Sequence, residues 1–143
     1  EKTLHRPPFV ELLKPYTEIH QALSQDNLEA VKGLTQNMKE KVEATLKEKL
    51  SQVQTKELKQ LSAQLESLKE SPSTSDMRIR FGNVSKELVT YFKSHKEEAR
   101  GYQLFFCPMF PQGYAFWIQP QSTSLANPYW GKEMLTCGVK RPW

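Results

Sequence analysis

The sequence predicts a mainly α-helical protein: an antiparallel bundle of three or four helices, capped by an aromatic-rich C-terminal segment with a short β-hairpin. Apolar residues recur at three- and four-residue steps through the first hundred positions, as on one face of a helix. Ten of the fifteen aromatic residues and both cysteines lie after Arg100, where prolines and glycines break any long helix. We therefore expect a single domain over residues 1–143, with the helical bundle in 9–100 and the cap in 101–143.

The first apolar series predicts an amphipathic helix of roughly 16 residues. Its apolar positions are Phe9, Leu12, Leu13, Tyr16, Ile19 and Leu23. Pro15 falls inside this stretch, and proline is tolerated only in the first turn of a helix. The sequence therefore predicts either a kink at Pro15 or a helix that starts nearer Lys14.

The second and third apolar series follow without an intervening proline. Asp26 and Glu29 have the spacing of a capping box, so the second helix is predicted to start at Asn27. Its apolar face comprises Leu28, Val31, Leu34, Met38, Val42, Leu46 and Leu50. The third series is a seam of leucines at positions 58, 61, 65 and 68. The pattern leaves open whether residues 28–70 form one helix or two.

A serine- and proline-rich run, Ser71–Ser75, predicts a linker before the last helix. Thr74 or Ser75 is expected to cap that helix, because a hydroxyl side chain can accept a free N–H group of the first turn. The apolar face comprises Met77, Phe81, Val84, Leu88, Tyr91 and Phe92. Gly101 marks the end, since glycine commonly follows a helix.

Two aromatic-rich runs, Tyr102–Cys107 and Tyr114–Gln119, flank a turn-forming segment and predict the β-hairpin. A further turn is predicted over Asn127–Gly131, leading into a single helical turn that carries Met134 and Cys137. So many aromatic side chains cannot all remain in water. We expect them to close over one end or side of the bundle.

Composition and motifs argue against several classes of function. The net charge is only +4, and the basic residues alternate with acidic ones instead of forming one basic face, which argues against nucleic-acid binding. No apolar run approaches the length of a membrane span. The sequence contains no Cys-x-x-Cys pair, phosphate-binding glycine loop, metalloprotease motif or nucleophile elbow. We therefore expect a protein that is not an enzyme.

The residues that carry chemistry are two cysteines and two methionines near the C-terminus. Cys107 and Met109 lie two residues apart on a proline-stiffened turn, and Met134 and Cys137 lie three apart, on one face if that stretch is helical. Two thiolates and two thioethers are soft ligands that suit Cu(I) or Ag(I) and are poor ligands for magnesium or calcium. Zinc would normally draw on more cysteine or histidine ligands than this segment offers.

Spacing alone leaves three interpretations of these residues open. Cys107 and Cys137 could form a disulfide, which would close a loop of about 30 residues and contribute roughly 3 kcal/mol in the chain-entropy picture. They could bind a metal together with the methionines. They could also be idle buried thiols, with the methionines filling space beside the aromatic residues.

The three histidines carry no clear signal of a metal site. His20 lies at the border of the first apolar face, between Ile19 and Leu23, and is expected to be a half-buried packing residue. His5 and His95 are expected to be exposed to solvent.

The C-terminal motifs resemble those of a known family. Cys107-Pro-Met109, Trp117 with Gln119, Asn127-Pro-Tyr-Trp-Gly131 and Met134-Leu-Thr-Cys137-Gly138, in that order, resemble a bacterial domain-of-unknown-function family, number 3347. Arg80-Phe81 with Ser85 is similar to that family's last helix. Members look like exported or lipid-anchored proteins of Gram-negative bacteria, and the same domain is found attached to periplasmic adaptor subunits of copper and silver efflux pumps.

The resemblance implies a periplasmic or envelope module that binds or traffics Cu(I) or Ag(I), with an efflux adaptor or another envelope protein as partner. The Cys-Pro-Met element is similar to a heavy-metal motif of those pumps, Cys-Pro-Met-His-Pro, although Phe110 stands here in place of its histidine. The chain opens on Glu1, and we expect that an export signal has been removed and that the protein resides in the periplasm or anchored to the outer membrane. The alternative is a non-catalytic protein-interaction domain in which Cys107 and Cys137 form a structural disulfide.

Overall fold

The computed structural model describes residues 8–143 and contains four helices followed by a small antiparallel sheet. The helices are α1 (Leu13–Ser24), α2 (Leu28–Thr45), α3 (Gln52–Lys69) and α4 (Thr74–Lys93). The strands are β1 (Tyr102–Phe106), β2 (Phe116–Pro120) and β3 (Val139–Arg141). Short 3₁₀ turns occupy Val10–Leu12, Lys96–Ala99 and Gly131–Met134. The predicted mainly α fold class, with an aromatic-rich C-terminal cap, is confirmed. None of the helices in the described part is long and apolar enough to cross a membrane.

The start of α1 settles the alternatives that Pro15 left open. A 3₁₀ turn comes first, and the α-helix begins at Leu13, so Pro15 lies in its first turn, where a missing N–H group costs little. The predicted capping box of the second helix is wrong, because the carboxylate of Asp26 is engaged by Arg78 on α4 and does not cap the helix. The N-cap residue is Asn27, whose side chain makes no capping hydrogen bond, and the helix begins at Leu28.

Two helices, not one, cover residues 28–70. The chain leaves α2 after Thr45 and re-enters a helix at Gln52. There Ser51 and Gln54 form a capping box: the Ser51 hydroxyl accepts the Gln54 N–H group at 3.1 Å, and the Gln54 side chain accepts the Ser51 N–H group at 3.0 Å. The short connection folds α3 back onto α2, and the four seam leucines of α3 are buried in the core.

The linker before α4 is confirmed. The residue that caps the helix is Ser73, one position before Thr74, which was the earlier of the two predicted caps. The Ser73 hydroxyl accepts the N–H group of Asp76 at 3.1 Å. The helix ends at Lys93, a 3₁₀ turn follows, and Gly101 then adopts φ +89°, a backbone conformation that favours glycine. Consecutive helices pack against one another in chain order, as in an antiparallel bundle with short connections.

The sheet has the strand order β2-β1-β3, with both pairings antiparallel. The predicted hairpin is confirmed as β1 and β2, whereas β3 was not predicted. β2 lies against α4 and α1, so the sheet closes one side of the bundle, as expected from its aromatic content. Trp117 and Ile118 of β2 and Leu104 of β1 are fully buried and continue the helical core into the cap.

Candidate functional site

The register of the sheet brings the two cysteines together. β1 continues into Cys107, whose N–H group donates to the carbonyl of Ala115 at 2.9 Å. On its other edge β1 pairs with β3, with Phe106 opposite Val139. Cys137 lies two residues before Val139. In an antiparallel pair the residue after one strand lies near the residues before the other, so Cys107 and Cys137 meet at this end of the sheet.

The two cysteines are free thiols that lie next to each other at this end of the sheet. Cys107 is 1% exposed, whereas Cys137 is half-buried. Desolvation, and after it the proximity of Cys107, raises the pKa of the Cys137 thiol. Cys137 is therefore protonated at neutral pH. Its thiol has to lose the proton before it binds a metal ion or attacks a disulfide.

The methionines do not join this pair equally. Met134 is half-buried on the turn that precedes Cys137, and its carbonyl accepts the Cys137 N–H group at 3.1 Å. Met109 is 53% exposed, and its backbone is held by Trp130, whose indole N–H group donates to the Met109 carbonyl at 2.9 Å. The Cys-Pro-Met element thus runs from a buried thiol to a solvated thioether.

Asn127 fixes the backbone of Cys137. This asparagine is fully buried, and its side-chain amide donates to the Cys137 carbonyl at 2.6 Å. Its side-chain oxygen accepts the N–H groups of Tyr129 at 2.7 Å and Trp130 at 3.0 Å. The asparagine of the Asn-Pro-Tyr-Trp-Gly motif is therefore a structural residue that orders the loop carrying one of the two thiols.

The glycines of the same motifs allow close packing. Gly131 adopts φ +64°, and a Cβ atom there would lie 1.9 Å from the Asp26 carboxylate. A Cβ atom on Gly138 would lie 2.7 Å from the indole ring of Trp117, which is fully buried. Glycine next to Cys137 therefore lets the start of β3 lie directly against Trp117.

Arg78 connects the bundle to the loop that carries these motifs. It is 8% exposed, and its guanidinium forms an ion pair with Asp26 at 2.7 Å. It also donates to the carbonyls of Leu23 and Pro128. Arg80, the arginine included in the sequence resemblance of the last helix, instead donates to the Ser67 carbonyl at 2.8 Å. The signal for Arg78 was its position on the buried face of α4, three residues before Phe81 and seven before Ser85.

A buried polar network lies under the sheet beside Cys107. The Tyr16 hydroxyl is 2.7 Å from the Ser85 hydroxyl, and the Ile118 N–H group donates to Tyr16 at 3.3 Å. The Tyr129 hydroxyl donates to the Phe116 carbonyl. Burial, and to a lesser extent neighbouring groups that include Tyr16 and Cys107, raises the pKa of Tyr129 well above its ordinary value. These hydroxyls stay neutral and join α1, α4 and the cap.

The histidines differ from their predicted environments. His20 is 2% exposed rather than half-buried; its Nε2 atom is 2.7 Å from the Ala126 carbonyl, and its ring stacks on Trp117. Its Nδ1 atom has no hydrogen-bond partner among the described residues. His95 is half-buried rather than exposed and stacks on Tyr91, four residues earlier in the chain. His5 lies outside the described residues.

The buried His20 predicts acid sensitivity. Desolvation lowers its pKa to about 4, against 6.5 in the unfolded chain, so as the pH falls through this window the unfolded state takes up a proton that the folded state excludes. Stability is expected to fall by about 3 kcal/mol between pH 7 and pH 4 through this residue alone. Urea denaturation at both pH values should show a smaller loss for His20→Gln than for the wild type. His95→Gln is the control and should lose as much stability as the wild type. If His20→Gln also loses as much as the wild type, the acid sensitivity does not arise from His20.

Comparison with protein families identifies the bundle. Residues 12–99 match the family described as "Protein of unknown function (DUF3347)". The chain belongs to this family. The match spans all four helices of this DUF3347 chain, including Arg78 and Ser85, and ends before β1, so the thiol pair lies outside the matched residues. No curated protein matches the chain. No solved structure matches it either.

The donor set of the pair is small and soft. Within residues 8–143 there is no group of three or more histidine, cysteine or carboxylate side chains that could hold a metal ion. Two neighbouring thiols, with a half-buried thioether on the adjoining turn, therefore define the candidate site. Such a set is unsuited to zinc, magnesium or calcium and compatible with a low-coordinate soft ion.

Proposed function

We propose that this protein is not an enzyme but a soft-metal binder that holds Cu(I) or Ag(I) between Cys107 and Cys137. The observation that carries the proposal is that the register of β1 with β3 places two thiols that are 30 positions apart in the sequence at the same end of the sheet. Cu(I) and Ag(I) are soft monovalent ions that accept two thiolate ligands, whereas zinc in a structural site requires four ligands. Binding releases the thiol protons.

The two methionines are assigned different roles in this proposal. Met134, half-buried beside Cys137, is the weak third ligand. Met109, more than half exposed, is the first soft donor that an incoming ion meets at the surface. Thioethers bind Cu(I) more weakly than thiolates do, so an ion bound in this way remains transferable to another protein.

The cellular setting of this proposal is the periplasm or the outer membrane, with an efflux adaptor or another envelope protein as the partner that receives the ion. It is supported by the resemblance of the Cys-Pro-Met element to a heavy-metal motif of copper and silver efflux pumps, and by the resemblance of the other C-terminal motifs to a family whose domain is found attached to adaptor subunits of those pumps. Fractionation of cells that express the native gene, followed by immunodetection, tests the location independently of metal binding.

Competition for Cu(I) tests the proposed site. Reduced protein is titrated with Cu(I) in the presence of a chromophoric chelator, and the wild type is expected to withdraw one ion per chain. Cys137→Ser should weaken binding by at least about 100-fold, because it removes one of two primary ligands. Met134→Leu should have a smaller effect, and Met38→Leu, on helix α2, should have none. Failure of the reduced wild type to compete at micromolar concentration would remove the proposal.

A non-catalytic interaction domain is the second candidate. The observation in its favour is that three exposed apolar residues, Met109, Leu135 and Val139, each lie two positions from a cysteine. In that case the reduced protein would not compete for Cu(I), and Met109→Lys would abolish binding of the partner without affecting the fold. The outcome of the Cu(I) titration therefore separates the two candidates.

A further inference from the structure

The two thiols of the pair differ in their access to solvent. Cys107 is 1% exposed and directly follows β1. Cys137 is half-buried and follows an exposed stretch of chain. A reagent in solution therefore reaches Cys137 first, whereas burial shields Cys107 from it.

We propose that the pair is a thiol–disulfide exchange site: an external disulfide, such as oxidised glutathione or a disulfide-bearing protein, reacts at Cys137, and Cys107 then closes a Cys107–Cys137 bond. The exchange itself does not depend on metal binding. The consequence for the ion, that the oxidised protein cannot bind Cu(I), rests on the proposed function.

The reaction balances without a further reagent. The Cys137 thiol loses its proton, and the sulfur attacks one sulfur of the external disulfide, forming a mixed disulfide and releasing one thiolate that takes up the proton. The Cys107 thiol, deprotonated in turn, attacks the Cys137 sulfur and displaces the second external thiol. Two protein thiols are oxidised by two electrons, and one external disulfide is reduced to two thiols.

The backbone on both sides is fixed in a way that suits ring closure. The Cys107 N–H group is held by Ala115 in the continuation of the β1–β2 pairing. The Cys137 carbonyl is held by Asn127, and the following residues pair with β1. Because the pairing of β1 with β3 already brings the two cysteines to the same end of the sheet, a disulfide can form without re-pairing of the strands.

The fixed, neighbouring positions of the two thiols also determine how long the mixed disulfide persists. Once Cys137 carries an external group, the buried Cys107 is its nearest thiol, so the second step is intramolecular and faster than a second collision with an external thiol. The mixed disulfide should therefore not accumulate unless Cys107 is removed. This expectation distinguishes an exchange pair from two cysteines that react independently.

The test exposes the folded chain of 143 residues to oxidised glutathione and follows it by intact mass. The wild type is expected to lose two hydrogen atoms without retaining glutathione. Cys107→Ala should retain one glutathione at Cys137, and Cys137→Ala should remain unmodified while folded and become modified in urea. Circular dichroism establishes that both variants are folded, and the wild-type measurement stands on its own if one of them is not.

Two results would overturn the exchange site. The first is a wild type that keeps both thiols under conditions that modify the urea-unfolded chain completely. The second is a Cys137→Ala variant that reacts, while folded, as fast as Cys107→Ala. A control titration of the oxidised protein with Cu(I) should show no competition, with recovery after reduction. If the protein forms the disulfide but does not bind Cu(I) when reduced, the exchange site stands and the proposed metal function is wrong. If it binds Cu(I) when reduced but does not form the disulfide, the metal function stands and the exchange site is wrong.

Discussion

Replacement of Arg78 by alanine is expected to lower the free energy of unfolding by about 3–5 kcal/mol. The guanidinium is almost fully buried and is the partner of the Asp26 carboxylate and of the carbonyls of Leu23 and Pro128. Its removal takes the ion pair from the Asp26 carboxylate and one donor each from the Leu23 and Pro128 carbonyls, and it leaves a cavity between α4 and the cap. Urea denaturation at pH 7, followed by circular dichroism, measures the loss.

Arg80→Ala is the matched control, because Arg80 lies two residues away on the same helix and binds a single carbonyl, that of Ser67. Its loss should be below about 1.5 kcal/mol. Arg78→Lys should fall between the two variants, since lysine keeps the charge and lacks the planar fork that reaches three acceptors. Equal losses for Arg78→Ala and Arg80→Ala would show that the contacts of the buried Arg78 guanidinium contribute no more than the single hydrogen bond of Arg80.

Asn127→Ala is expected to have the second large effect, a loss of about 3 kcal/mol or more together with a more reactive Cys137. The substitution removes the donor to the Cys137 carbonyl and the acceptor for the N–H groups of Tyr129 and Trp130. The loop that carries Cys137 would then be held by the remaining backbone contacts, including that between the Asn127 N–H group and Leu135. The rate of Cys137 alkylation, measured in a Cys107→Ala background, reports this local release.

A variant with comparable global destabilisation separates this positioning role from general unfolding. Asn127→Ala and Arg78→Ala are compared, each in the Cys107→Ala background, at a urea concentration where both remain folded. Alkylation of Cys137 should be faster in the Asn127 variant, because its loop opens without unfolding of the bundle. If the two rates follow global stability alone, Asn127 is a general structural residue and does not specifically position the thiol.

The helices could be predicted because their signal is local. Each helix buries one stripe of apolar residues, and the spacing of Leu58, Leu61, Leu65 and Leu68 reports that stripe directly. The apolar pattern leaves the break between α2 and α3 undecided, because no proline or glycine marks it. The signal for the break is the spacing of Ser51 and Gln54, which is that of a capping box.

The errors arise where a distant residue competes for a local partner. Asp26 has the spacing of a capping residue, yet its carboxylate binds Arg78, 52 residues away. The β3 strand consists of three exposed residues with no alternation of apolar and polar side chains, so its pairing depends on the free edge of β1. His20 lies at the border of an apolar face, and only the cap that packs over it makes it fully buried.

The sequence by itself determined the apolar faces of the helices, the hairpin and the identity of the soft donors, because helical periodicity, turn residues and side-chain chemistry are local properties. Only the tertiary structure decided which donors meet. It joined Cys107 to Cys137 through the register of β1 with β3, and it left Met109 largely in solvent. Register depends on pairing between segments distant in the chain, whose free energy is shared among many contacts and which no single motif encodes.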